Sequence, residues 1–481
     1  MTARAMMGAQ EVEPEVPVML KSILGPVFLF AACLLLAACA GEEGSAPSAE
    51  TPGLTRSAGP VTIDLWHSEG AQNGETLDRL VARFNASQDE VRVRATRQGD
   101  YLEAMAKLIA SIPSGSVPAV AYLDEGHIQK MIDSGAVTPI QQFIERDRYD
   151  LSDLDEKAVE YYTVQDTQWG MPFHADMGLL YYNKKVFREV GLDPVRPPQN
   201  LEEVRQYSAK ILKRDAAGNV VRSGIAIDIK GWLAGALAQH GDLYVDRSNG
   251  HEGRATKVLF DNDTGRWFFQ WWHDMVEEGL AFNVGRNPSY ADGLLAIAAD
   301  RAAMTFSFAG GLGSVIDVLE GGEPGAKSIE IGVSQLPGVP EGKGLTGFAV
   351  YGLWILKQRP EQEQEAAWKF IKWLVEPEQQ AEWFAGTGYL PVSRSSIDLP
   401  AVKDVVARYP LYQVPLDAYL NTPATPATMG ALIGPGDEVA ETVAQAVEEM
   451  LVAGKDPLKA LGDAASNANR ILADYNERVG K

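Results

Sequence analysis

Two pairs of residues could share a metal ion: His67 with Glu69, and Glu125 with His127, each separated by a single residue. Imidazole with carboxylate suits zinc, but a closed site needs four ligands. Isolated pairs of this kind are more often ordinary hydrogen-bonded residues, so neither a metal nor a cofactor is expected. Glu125 and Asp176 are the carboxylates a glycosidase would need, about 5–10 Å apart with one pKa raised. Nothing else in the chain asks for that chemistry, and an enzyme is not expected. No G-x-S-x-G elbow, P-loop or H-E-x-x-H pattern occurs. Gly311 and Gly313 begin a dinucleotide fingerprint that fails at Ile316. Tryptophan is frequent, with ten residues, enough to ask which of them pack and which bind. Trp267, Trp271, Trp368 and Trp373 fall on helical faces and read as core. Trp66 and Trp232 stand beside loop residues, where a partly exposed ring would meet a ligand.

The chain that carries these residues is acidic, with a formal charge of −22, which argues against nucleic acid and anionic membrane surfaces as partners. Its only cysteines are Cys33 and Cys39, so the remainder has no disulfide, thiol nucleophile or cysteine metal site. Leu36-Ala37-Ala38-Cys39 closes an apolar run interrupted by Lys21 and Ser22, and resembles the lipobox of bacterial lipoproteins. The resemblance implies cleavage before Cys39, lipid on its thiol and an exported protein held at a membrane, in the periplasm or at the cell surface. Glu11, Glu13 and Glu15 have the wrong charge for a signal n-region, which puts the start of the leader at Met19. Residues 40–60 are small, polar and without apolar period, as a flexible tether would be.

Beyond the tether, strand and helix patterns alternate. Val61 to Trp66, Val91 to Thr96 and Ala119 to Leu123 read as strands, and Thr76 to Asn85 and Tyr101 to Ile112 as amphipathic helices. This order predicts an α/β fold with a mostly parallel sheet. Leu179 to Tyr182, Ala302 to Phe306 and Phe348 to Leu356 are further strands. Helices dominate from Glu361 onward, including Asp437 to Val452 and a last one near Leu458 to Glu477.

The order of short motifs then resembles family 1 extracellular solute-binding proteins of bacterial ABC importers, and within them the glycerol-3-phosphate-binding branch. The motifs are Trp66-His67-Ser68, Arg83-Phe84-Asn85, Gly99-Asp100-Tyr101, Met171-Pro172-Phe173, Leu180 to Lys184, Gly191 to Pro194, Ala303-Met304-Thr305 and Thr387 to Pro391. The resemblance implies a two-lobed periplasmic-binding-protein fold with crossing strands and a ligand cleft. Lobe 1 would hold residues 61–175 and 306–351, and lobe 2 residues 176–305 and 352–481. It also implies a monomeric receptor whose cleft closes on a small molecule and presents it to permease subunits. Carried over by position, the ligand-binding residues are Trp66, His67, Tyr101, Glu125, Asp176, Trp232, Gly310, Gly311, Tyr389 and Leu432. Three departures matter: Asp176 stands where that branch has serine, Leu432 replaces its phosphate-binding arginine, and Phe308 to Leu312 replaces a serine-rich turn. An arginine fork is the natural phosphate clamp. Its loss, with a carboxylate gained, favours a sugar or polyol over a phosphate ester.

Overall fold

The computed structural model describes residues 59–228, 232–285, 292–320, 329–342 and 346–480. The leader, Cys39 and all but the last two residues of the tether lie outside the described residues.

Two parallel wings are joined through an antiparallel centre. In the first wing Val61–His67 lies between Val91–Arg97 and Val120–Leu123, parallel to both. Helix Ala71–Ser87 makes the crossover and buries Leu77, Leu80, Val81 and Phe84 on the face that its apolar spacing dictates. In the second wing Val220–Ile227 pairs in parallel with Ala281–Asn283 and Ala302–Phe308. A 13-residue strand, Met171–Asn183, joins the wings. Its first half runs antiparallel to Phe348–Leu356, and its second half to Ala302–Phe308 and Ile331–Gln335. Every residue of this strand is buried, as expected of a strand covered on both faces. The sequence pattern shows only its last third, because Pro172, His174, Asp176 and Gly178 interrupt the apolar run.

Two hydrophobic cores follow the two wings. The division expected at residue 176 falls inside the long strand, which belongs to both. The division expected at 351/352 is corrected more substantially. Leu353, Trp354, Trp368, Phe370, Trp383 and Leu416 all lie in the first core, which extends to Leu432. Only from Ile433 onward does the chain enter the second core, with Val439, Val447, Leu461 and Leu472. The reason is the pairing of Phe348–Leu356 with Val120–Leu123, which directs the helices that follow onto the first sheet. An amphipathic helix does not encode which of two sheets it will cover.

Candidate functional site

Along Met171–Asn183 successive side chains alternate between faces. Phe173, Ala175, Met177 and Leu179 enter the first core. His174, Asp176 and Gly178 therefore share the opposite face, at the junction of the two wings. Tyr351 is the cross-strand partner of His174 and stacks on it, with centroids 4.5 Å apart and planes 20° apart. Tyr389 approaches the same imidazole to 3.9 Å.

Tyr101 reaches this place from the start of its helix. Asp100 accepts the Glu103 N–H, and Glu103 in return accepts the Asp100 N–H, a reciprocal cap that makes Tyr101 the first helical residue. Its hydroxyl donates to Glu69 Oε1 at 2.6 Å, and the Tyr122 hydroxyl donates to the same oxygen at 2.6 Å. His174 Nε2 meets the Tyr122 oxygen, and the Tyr389 hydroxyl lies 3.2 Å from that of Tyr101. Five side chains thus form one connected network. Burial raises the Glu69 carboxyl above its ordinary pKa, although Tyr101, Tyr122 and Asn73 hydrogen-bond to it. Burial drives His174 the other way, well below the usual imidazole range, so this ring is neutral.

Asp176 Oδ1 accepts the N–H of Met177 at 2.8 Å and of Gly310 at 3.1 Å. Burial pushes its carboxyl up to about 7, against the pull of these backbone donors and with a further push from Glu69. Glu125 opens a short turn, Glu125–His127, that follows strand Val120–Leu123. It is pushed up to about 8, first by burial, then by Asp124, with Asp176 adding to the shift. Its Oε2 is buried without a hydrogen-bond partner among the described residues. Gly310 is required by space: a Cβ there would lie 2.3 Å from the Tyr389 ring. A Cβ on Gly311 or Gly126 would meet nothing within 4 Å, so open space adjoins both turns.

The structure therefore brings Tyr101, Asp176, Gly310 and Tyr389 into contact through hydrogen bonds and rings. Glu125 lies within electrostatic range of Asp176 and Tyr351. Other expected residues stand elsewhere. Trp66 packs against the first core. His67 is buried, and that burial takes its pKa down to about 4. Trp232 was expected to be partly exposed and is only 5% exposed. Its ring stacks on Phe308 and packs over Gly178, and its Nε1–H donates to Asp228 at 2.6 Å. Leu432 is 2% exposed within the first core, its N–H bonded to the Asn249 carbonyl. Glu69, Tyr122, His174 and Tyr351 were missed. For His174 the signal was present, since it stands two residues before Asp176 on a strand. For Tyr351 and Tyr122 the sequence holds none, because only strand pairing brings them in.

The same cluster of carboxylates and phenols, on a strand shared by two wings, invites comparison with known proteins. The family described as bacterial extracellular solute-binding protein matches residues 79–412. The chain belongs to that family. Among relatives of this solute-binding protein is the sn-glycerol-3-phosphate-binding periplasmic protein UgpB of Escherichia coli strain K12. It is 26% identical over 428 residues, covering 87% of this chain and 94% of the relative. The Shigella flexneri protein of the same name is equally similar. Among solved structures, UgpB from Mycobacterium tuberculosis in complex with glycerophosphocholine aligns with a TM-score of 0.71 and 20% identity. That alignment covers 87% of this chain and 99% of the other. The sugar-binding protein MalE from Xanthomonas citri gives 0.69 and 21%, over 88% and 100% of the two chains. At these identities the structural likeness establishes the two-lobed binding-protein fold that both neighbours share with this chain.

Proposed function

We propose that this solute-binding protein captures a sugar or polyol between its lobes and hands it to the permease of an ABC importer. The observation that carries the reading is the chemistry of the shared face. Two carboxylates, Glu125 and Asp176, stand beside the rings of Tyr101, Tyr351 and Tyr389 and beside the open space at Gly311. Carboxylates accept hydrogen bonds from hydroxyl groups, and aromatic faces cover the C–H surfaces of a sugar ring. Arg97 lies within electrostatic range of Glu69, but it is exposed and its Nε donates to the Ser68 carbonyl at 3.2 Å. The ionised fraction of the Glu125 and Asp176 carboxyls would repel a phosphate, at a cost that grows as water is excluded. Asp176 and Tyr389 are 3% and 6% exposed, so a ligand reaches them only when the lobes part.

A glycerol-3-phosphate or glycerophosphodiester ligand is the second reading, favoured by the function of the curated relatives. Against it stands Asp176, a buried carboxyl beside Gly310 where the resemblance implies a serine. Calorimetry with maltotriose and with glycerol 3-phosphate separates the two. The sugar reading expects micromolar or tighter binding of maltotriose or a related sugar, with little dependence on salt. Tight binding of glycerol 3-phosphate that weakens with salt overturns it.

The family is one of solute-binding proteins, and the reading assigns no catalysis. Incubation with oligosaccharides should give no products. Among the described residues no helix is long and apolar enough to cross a membrane. The proposed attachment is lipid on Cys39, and Cys39→Ala should move the protein from the detergent phase to the aqueous phase of a phase split. A wild-type protein already in the aqueous phase would refute the anchor.

A further inference from the structure

The turn that presents Glu125 has a second face. Three residues into it, His127 is buried, with its Nδ1 against Asp124 and its Nε2 3.1 Å from Asp437 Oδ2. Asp437 stands in the first turn of helix Gly436–Leu451, which packs on the second core, whereas Ile128 and Met131 beside His127 belong to the first. The contact therefore joins the lobes. Lys130 adds to it, reaching Asp437 at 3.0 Å and Glu438 at 3.3 Å. Backbones abut at the same point. A Cβ on Gly436 would lie 2.9 Å from the Gly126 carbonyl, so glycine lets the helix start this close to the turn. One turn further along, Asp133 receives Arg254 and the Tyr475 hydroxyl from the second lobe, the latter at 3.0 Å.

We propose that His127 is a positioning residue that ties the turn carrying Glu125 to Asp437, so that lobe approach and presentation of the Glu125 carboxylate are one event. The proposal builds on the reading of Glu125 as a ligand contact. His127 faces Asp124 and Glu125 on its own turn and Asp437 across the interface, with Lys130, which also reaches Glu438, as the neighbouring cation. Burial alone would lower its pKa, but Asp124 and Asp437 outweigh burial and push it up to about 10. The same pairing holds Asp437 down at about 2. The tie is therefore a charged pair throughout the neutral range and does not act as a histidine pH switch. His127 also lowers the pKa of Glu125 through its charge, which links the tie to the cleft.

Spin labels test the tie without any ligand. In the full chain carrying Cys33→Ser and Cys39→Ser, Arg92→Cys on the first lobe and Val452→Cys on the second provide two exposed label sites. The wild-type interface should give one narrow distance population, unchanged from pH 6 to pH 8. His127→Gln should broaden and lengthen it, Asp437→Asn should do the same, and the double variant should do no more than either. If His127→Gln does not fold, Asp437→Asn on the partly exposed rim carries the test alone. Unchanged distances in folded single variants overturn the proposal, as do fully additive effects. A second readout is the carboxyl titration of Glu125 by NMR on ¹³C-glutamate-labelled protein, assigned with Glu125→Gln. His127→Gln should raise that midpoint, and an unmoved midpoint overturns the link to the cleft. Because neither measurement uses a ligand, failure of the sugar reading in calorimetry leaves these outcomes standing, and the reverse also applies.

Discussion

Glu69 and Glu125 occupy equivalent places in the first wing, each two residues beyond the end of neighbouring parallel strands. Glu69 is buried and Glu125 half-buried, and both have raised pKa values, yet their surroundings differ. Glu69 takes two phenolic hydroxyls on one oxygen and lies wholly within a network. Glu125 keeps an oxygen without a hydrogen-bond partner among the described residues and is crowded by Asp124 and Asp176. The first carboxylate holds two tyrosines in place, and the second is left with capacity for something else. The direction of the pKa shift alone would class them together. Counting the partners of each oxygen separates them.

The comparison is sharpest if the acceptor itself is removed. Glu69→Ala removes the acceptor shared by the Tyr101 and Tyr122 hydroxyls, leaving them only Tyr389 and His174, and the loss of stability should be roughly 1–3 kcal/mol. Glu69→Gln keeps an oxygen in place and should cost much less. Denaturant unfolding of the two variants gives the answer, and equal losses would mean that charge, not the acceptor, matters at this position.

Glu125→Gln should behave in the opposite way. A carboxyl whose folded pKa is raised, here from 4.5 to about 8, binds a proton more tightly in the native state than in the unfolded chain. Wild-type stability should therefore fall as pH rises from 4.5 to about 8, and the glutamine variant should lack that part of the decline. Melting temperatures across this range measure it. The same substitution should weaken maltotriose binding, and a variant that binds as wild type breaks the assignment of Glu125 to the cleft. A smaller effect distinguishes the two phenols. Tyr122→Phe should cost more than Tyr101→Phe, with the latter near 1 kcal/mol, because Tyr122 is fully buried and also meets His174. Equal losses would show that the network is not graded by burial.

Much of this arrangement is legible in the amino-acid sequence. Tyr101 and Tyr389 lie in the ordered motifs Gly99-Asp100-Tyr101 and Thr387 to Pro391, Asp176 and Gly310 follow only from position after two others, and the strand and helix sequence of the first wing follows from its apolar period. What the chain does not spell out is pairing. Tyr351 enters the site because it faces His174 across two strands 177 positions apart, which no local pattern records. The lobe assignment of residues 352–432 failed for the same reason, and Trp232 looked exposed because the Phe308 that covers it is distant in sequence.

The long shared strand also constrains how such a receptor could change its ligand. His174, Asp176 and Gly178 occupy even positions, while the odd positions fill a hydrophobic core. Inserting or deleting one residue between Met171 and Asn183 would turn polar groups inward and apolar ones toward the solute, on both sheets at once. On the reading that puts His174, Asp176 and Gly178 at the ligand, new preferences would come by exchanging these side chains and not by changes in length. Elsewhere in the chain, loops can lengthen; through this segment, specificity has to be rewritten letter by letter.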